Sequence, residues 1–274
     1  MKSDQKSKAQ SFRAMHDGRM LVLPNAWDAG SAALIQHAGA TAIGTTSGGV
    51  AWSLGHGDGQ RLTREEMVEV VRRIAGAVDV PVTADIEGGY GPEPGDVAAT
   101  VTAVVDAGAA GVNIEDSRPE GGLFEIADQA ERLRAARTAA EQAGLPELVI
   151  NARTDVYLLQ VGEPDGRMDQ VLARAAGYAS AGADSLFVPG LIDLEVLRAL
   201  VAASPLPVAV MAGPGAPSVP EFESVGVRRV SVGTAMAQAA FGLAHRSTAE
   251  LLTKGTYGEL ADAPDYFTIN GLFG

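Results

Sequence analysis

Three acidic residues, Asp85, Glu87 and Glu115, and one arginine, Arg153, each close a short run of apolar and β-branched residues, in VPVTADIE (80–87), GVNIED (111–116) and ELVINARTD (147–155). Carboxylates gathered at the ends of neighbouring strands repel one another unless a cation sits between them. The chain has no cysteine, and its four histidines, His16, His37, His56 and His245, fall outside these runs. The donor set is therefore all oxygen and suits a hard ion, and Mg²⁺, which takes few protein ligands and keeps several waters, is the natural occupant. Arg153 carries a planar fork that matches a substrate carboxylate, with an internal ion pair to one of the acids or to Asp155 as the alternative. The segment Thr46-Ser47-Gly48-Gly49 offers successive backbone N–H groups and a hydroxyl without side-chain obstruction, the makeup of an anion nest, or else a plain turn. Trp27 and Asn113, also near strand ends, are candidate substrate contacts.

These residues need elements that bring them to one place. An Ala-rich helical segment ending in a Gly-containing dipeptide and followed by a β-branched run recurs four times, in HAGATAIGTT (37–46), DAGAAGVNIED (106–116), SAGADSLFVPG (180–190) and SVGVRRVSVG (224–233). Glycine after a helix is the favoured left-handed cap, and a short apolar run after it is the expected buried parallel strand. Further runs interleave with these and predict eight strands over 19–24, 41–45, 81–85, 110–115, 147–153, 184–188, 207–211 and 229–232. Helices over 63–78 and 128–144 show 3.6-residue periodicity, the first opening on a Thr63 and Glu66 capping box. Eight strand–helix units predict a (β/α)8 TIM-type barrel, in which polar residues at the C-terminal strand ends share one mouth. A doubly wound open sheet is the structural competitor, weakened because no GxGxxG follows the first strand. With no dividing linker, residues 1–274 read as one domain. From about 235 to 274 a helical extension follows, to about His245 and again over 248–254, which either lies on its own barrel or packs on a neighbouring subunit.

Composition narrows the partners. With 21 basic and 34 acidic side chains the net charge is −13, which argues against a nucleic-acid or anionic-membrane partner. The first 18 residues lack the apolar stretch of a secretory signal, and no apolar run approaches a membrane span, so a soluble cytoplasmic protein is expected.

In this order, the residues resemble the isocitrate lyase / phosphoenolpyruvate mutase superfamily from about residue 21 to residue 242. The family's Ser-Gly-Gly turn is matched by Ser47, Gly48 and Gly49, and its Leu-Gly-x-x-Asp stretch by LGHGD, ending in Asp58. Its Asp-x-Asp-x-Gly-Tyr/Phe-Gly is matched by DIEGGYG (85–91), with Glu87 for the second Asp and one extra glycine; Glu115 and Asp116 match its Glu-Asp, and ARTD (152–155) its Ala-Arg-Thr-Asp. The resemblance implies that Asp85 ligates Mg²⁺ directly while Asp58, Glu87 and Glu115 hold its waters. It further implies a 2-oxo acid substrate bound by Arg153 and the Ser47–Gly49 turn, chemistry through an enolate, and a homotetramer that exchanges a C-terminal helix. The lyases' Lys-Lys-Cys-Gly-His loop and the phosphonate enzymes' Lys and Asn are absent from EDSRPEGGLFE (115–125), and Pro189-Gly190 stands where the lyases place a Glu. Tyr90, Arg118 and Glu120 are then the candidates for managing a proton. By subtraction, a carbon–carbon lyase or oxaloacetate-type decarboxylase is expected. The alternatives are a C–P enzyme on phosphonopyruvate or phosphoenolpyruvate, and a 2-oxo acid binding protein without turnover.

Overall fold

The structure is a computed structural model that describes residues 2–273 of the chain. Its strands are β1 (Leu21–Leu23), β2 (Asn25–Ala26), β3 (Ile43–Thr45), β4 (Val82–Asp85), β5 (Gly111–Glu115), β6 (Val149–Arg153), β7 (Ser185–Phe187), β8 (Val208–Met211) and β9 (Arg229–Ser231). The helices are α1 (Lys2–Met15), α2 (Ala29–His37), α3 (Ser47–Ser53), α4 (Arg64–Ala77), α5 (Pro94–Asp106), α6 (Ile126–Gln142), α7 (Arg167–Ser180), α8 (Leu194–Ala203), α9 (Val219–Ser224), α10 (Ala235–Lys254) and α11 (Tyr266–Asn270). All pairings are parallel, in the order β1-β9-β8-β7-β6-β5-β4-β3-β2. Because β1 and β2 are joined by Pro24 alone, the sheet closes on itself, which excludes the open doubly wound alternative. The expected first strand over 19–24 is thus two pieces. Pro24 has no N–H to give the ladder, so the piece before it pairs with β9 and the piece after it with β3.

Local signals hold where they are strong. Thr63 Oγ1 accepts from the Glu66 N–H at 3.2 Å and the Thr63 N–H donates to Glu66 Oε2 at 2.8 Å, so the capping box starts α4 as expected. One helix is new and one helical reading is corrected. The opening segment, charged and polar in sequence, is α1: its Ala9 and Phe12 are fully buried, Gln5 donates to the carbonyls of Val105 and Ala109, and Arg13 pairs with Asp184 at 2.7 Å. The two helical pieces expected after Ala235 are one continuous helix, α10.

The barrel's interior is polar in its middle. Asn151 Nδ2 donates to Asn113 Oδ1 at 2.9 Å, Ser185 Oγ donates to Asn151 Oδ1, and Arg229 Nη2 donates to Asn113 Oδ1 at 3.0 Å. The Arg229 guanidinium also lies 6.0 Å from the Phe12 ring.

His16 packs edge-on against Phe12 with ring centroids 4.9 Å apart, and its Nε2 is buried without a hydrogen-bond partner. Burial, reinforced by the Arg229 charge, lowers its pKa to about 4. An unfolded histidine takes up its proton near 6.5, so between about 4 and 6.5 the unfolded chain binds more protons than the folded one. Stability should therefore fall as pH drops through this window, with His16 contributing about 2 kcal/mol of loss at pH 5. Thermal melts of wild type and His16→Gln at pH 7 and 5 check this; an identical acid loss in both would dismiss the assignment.

Around most of the barrel, helices cover the outer faces of the strands. At β1 they do not: Val22 is 47% exposed and borders a groove of about 670 Å³ lined by Met15, Met20, Leu34, Ile35 and Met236. Within α10 only Ala237 is buried, and Phe241, Leu243, Leu251 and Leu252 are exposed, as are Tyr257, Tyr266 and Phe267 beyond it. No helix of the described residues is long and apolar enough to cross a membrane.

Candidate active site

Chain direction places the C-terminal ends of β3 to β6 side by side, and the expected site residues follow from there. Thr46 is the N-cap of α3, so Ser47, Gly48 and Gly49 form that helix's first turn rather than a free turn. Their small size has a packing cause as well. A Cβ on Gly48 would fall 2.8 Å from Thr234 Cγ2 and 3.0 Å from Asp58 Oδ2, and one on Gly49 would fall 2.9 Å from Trp27 Cβ. Two bare residues thus let α3 sit against the Asp58 loop, Trp27 and the start of α10.

Asp85 ends β4. Its N–H donates to Thr45 Oγ1 at 2.8 Å, its Oδ2 accepts from the Ser47 N–H at 3.3 Å, and its Oδ1 is buried without a hydrogen-bond partner. Burial pushes this carboxyl above the usual range, against the pull of the Arg153 charge and the Ser47 N–H. Two residues on, Glu87 and then Tyr90 adopt left-handed backbone angles, φ 50° and 59°, which side-chain-bearing residues rarely take. The payoff is convergence: Glu87 accepts from the Gln60 N–H at 2.5 Å and from the Tyr90 hydroxyl at 2.9 Å. Burial raises Glu87 to about 7.

Glu115 ends β5 and Arg153 ends β6. Their ion pair measures 2.7 Å, and Asp155 takes Arg153 Nε at 2.6 Å and Nη2 at 3.0 Å. The internal ion pair expected as the alternative for Arg153 is present, and Arg153 also borders the mouth. A guanidinium has five N–H donors, and these contacts use three. Burial pushes Glu115 to about 8 while Arg153 opposes the shift, and Ser117 Oγ donates to Glu115 at 2.7 Å.

Ser47, Asp58, Glu87, Glu115 and Arg153 line one cavity of about 480 Å³. Of the other expected site residues, Asp85, Gly48, Gly49, Tyr90, Trp27 and Asn113 do not line it: Asp85 is buried at the end of β4, Gly48 and Gly49 pack toward Thr234 and Trp27, Tyr90 borders a neighbouring cavity, Trp27 packs behind α3, and Asn113 sits in the polar layer within the barrel. His56 is exposed and does not line it either. Gln60, Arg61, Ser117, Leu158 and Leu159 do, and sequence reasoning missed them because they lie just beyond the motif residues of their loops. Residues 117–123 form a tight hairpin through a Ser117–Leu123 bridge, contributing Arg118 to the rim.

Among the described residues, no three His, Cys, Asp or Glu side chains lie close enough together to ligate one ion directly. The unpartnered Asp85 Oδ1 nevertheless suits one direct bond to a hard cation, with the Asp58, Glu87 and Glu115 carboxylates near enough to couple electrostatically to it. That is how a reluctantly dehydrated ion such as Mg²⁺ is held.

A buried arginine from an outer helix braces one loop of this mouth. Arg132 of α6, 1% exposed, makes no ion pair among the described residues and donates to the carbonyls of Gly88, Gly91 and Pro92 in the loop that carries Glu87 and Tyr90. Its Nε donates to Gln129 Oε1 at 3.0 Å, and Gln129 in turn donates to the Glu115 carbonyl at 3.1 Å. The signal was legible: Gln129, Arg132 and Ala136 share a helical face with Leu133 and Ala140, where apolar residues belong. Arg132→Lys keeps the charge but loses the fork, and should weaken metal-dependent oxalate binding about ten- to a hundredfold, as removal of an outer-shell support does. Titration calorimetry with Mg²⁺ and oxalate checks it; unchanged affinity would make Arg132 a fold residue only.

Comparison with known proteins agrees with this geometry. Residues 12–252 match the phosphoenolpyruvate phosphomutase family. The chain is 32% identical to 2-methylisocitrate lyase of Escherichia coli K12 over 74% of this chain and 69% of that one. It is 33% identical to an oxaloacetate decarboxylase of Rhodopseudomonas palustris BisA53 over 65% of this chain and 60% of that one. A crystal structure from Burkholderia cenocepacia J2315, described provisionally as a lyase or mutase, superposes with a TM-score of 0.91 at 36% identity, covering 99% of this chain and 97% of that one.

Proposed function

The chain belongs to the phosphoenolpyruvate phosphomutase family of the isocitrate lyase/PEP mutase superfamily, and from that premise we propose that it is a Mg²⁺-dependent enzyme acting on a 2-oxo (di)carboxylic acid through an enolate, as a carbon–carbon lyase or oxaloacetate-type decarboxylase. The observation that carries this is the buried, unpartnered Asp85 Oδ1 at the end of β4, next to the strand ends from which Glu115 and Arg153 line the mouth cavity. A dication held by Asp85, with Asp58, Glu87 and Glu115 on its waters, would neutralise the charge developing at the C2 oxygen. Arg153 has two N–H donors left for the substrate carboxylate, and Ser47, the first residue of α3, lines the same cavity. When the bond to C3 breaks, its electron pair enters the enolate and C3 needs a proton. Our candidate for that proton is the Tyr90 hydroxyl, which donates to the cavity-lining Glu87 while its own residue borders the neighbouring cavity. The hairpin over the mouth offers Ser117 and Arg118 but no thiol or amine, which favours a cleavage that generates its own enolate over one needing a dedicated acid.

A thermal-shift series with oxalate, an enolate mimic, tests the site: Mg²⁺ and oxalate together should raise the melting temperature, and chelator should cancel the rise. Pyruvate release from oxaloacetate, substituted malates, methylisocitrate and phosphonopyruvate then names the reaction. Release from phosphonopyruvate alone would overturn the carbon–carbon reading.

The assembly we propose is a homo-oligomer, a tetramer by the family resemblance, in which α10 and the tail of one subunit cover the β1 groove of another. The groove and the exposed apolar face of α10 are two halves of one missing contact, since a helix belongs on the outside of β1. Light scattering should give a multiple of 28.1 kDa. Leu251→Glu with Leu252→Glu should reduce it, and a monomeric wild type would refute the exchange. The absence of cysteine suits a reducing compartment such as the cytoplasm.

A further inference from the structure

Four residues with side chains take left-handed backbone angles among the described residues, and three of them, Gln60, Glu87 and Tyr90, at φ 54°, 50° and 59°, touch one another. They come from two loops, the one that carries Asp58 and the one that follows β4. The Gln60 N–H donates to Glu87 Oε1 at 2.5 Å, and the Tyr90 N–H donates to Gln60 Oε1 at 3.0 Å. The Tyr90 hydroxyl closes the triangle on Glu87 Oε2 at 2.9 Å. The Gln60 amide also lies against the backbone of Gly88, where a Cβ would fall 3.0 Å from Gln60 Nε2. One left-handed residue thus brings both its N–H and its side chain to a single loop. Strained angles persist only where the surroundings over-determine them, and here each of the three is held by the other two.

Arg132 grips the same loop in a complementary way. It donates to the carbonyls of Gly88, Gly91 and Pro92, but a guanidinium has no acceptor to offer. The Tyr90 N–H needs one, and Gln60 Oε1 supplies it. Gln60 stands two residues after Asp58, and both line the mouth cavity together with Glu87.

We propose that Gln60 is a positioning residue of the cation site: by joining the two loops it sets the Glu87 carboxylate and the Tyr90 hydroxyl relative to Asp58. This rests on the reading of the mouth as a Mg²⁺ and 2-oxo acid site and adds what aims the outer carboxylates of that site. Glu87 acts on the ion through water, so its direction matters as an outer-shell support does.

Two variants test this. Gln60→Ala removes the side-chain acceptor and keeps the backbone strain, whereas Gln60→Gly removes both. Gln60→Gly alone should melt at or near the wild-type temperature, since glycine takes φ 54° without strain. Without metal, hydrogen–deuterium exchange over residues 87–92 should be at least tenfold faster in both variants, with the barrel strands unchanged. Titration calorimetry with Mg²⁺ and oxalate should show affinity about tenfold weaker in both. Wild-type affinity in Gln60→Gly would mean that Gln60 contributes strain and no aim, and would overturn this proposal alone, as would equal exchange of that loop in all three proteins. Failure of oxalate to bind wild type would overturn the parent reading and this one with it.

Discussion

Asp85→Asn is expected to abolish the rise in melting temperature given by Mg²⁺ with oxalate, while the protein alone melts at the same temperature or higher. The two halves of the result have one cause. The Asp85 carboxyl is buried, one oxygen holds only a 3.3 Å contact from the Ser47 N–H, and the other holds none. Burial raises its pKa, and the Asp58 charge raises it further. Without a cation this group costs stability, so a neutral amide of the same shape relieves the cost and removes the ligand together, the usual trade between stability and function. In wild type, a ligand at a hundredfold over its Kd adds about 2.7 kcal/mol, which is several degrees for a chain of this size. Differential scanning calorimetry of both proteins, with and without chelator, reads both effects. Glu87→Gln should lose only part of the ligand-induced rise, because it acts through water. An undiminished rise in Asp85→Asn would place the ion elsewhere.

What was legible in the sequence was the set of residues that end strands. Asp85, Glu115 and Arg153 lie in period-two apolar runs whose ends a barrel must gather, and the structure gathers them. Residues whose roles depend on what lies across the barrel were not legible. Asn113 stands two positions before Glu115 on the same face, so it reads as a mouth residue, yet it lies one layer deeper, bonded to Asn151 and Arg229. Helix α1 carries its burial on Ala9 and Phe12 within a polar sequence, too little for periodicity to flag. The glycines at 48 and 49 suggested an anion nest, whereas Thr234 and Trp27, distant in sequence, explain their size. Leu158 and Leu159 follow a charged motif and look like an ordinary continuation into a helix. The turn they form packs against Gly190, which follows β7 and is distant in sequence.

The second large effect concerns a group no motif marks as more than an acid beside Glu115. Asp116 is fully buried; its Oδ2 accepts from Arg174 Nη1 at 2.9 Å and from the Tyr178 hydroxyl at 2.6 Å, and its Oδ1 accepts from the Asp155 N–H at 3.0 Å. It therefore connects α7 to the residue that clamps Arg153. Arg174→Met should cost about 3–5 kcal/mol in urea unfolding, because it strands a buried carboxylate without its counterion. Tyr178→Phe, which removes one hydrogen bond and leaves the arginine, should cost about 1–3 kcal/mol. The sign of the pH effect separates stranded charge from lost packing. Burial already holds Asp116 above the usual carboxylate range, and loss of Arg174 raises it further, so the folded variant keeps a proton that the unfolded chain releases. Its stability relative to wild type then falls as pH rises, and the deficit should be smaller at pH 5 than at pH 8. A deficit of the same size at both values would mean that Arg174 acts through its hydrocarbon stem, and Asp116 would then cease to be the link between α7 and the Arg153 clamp.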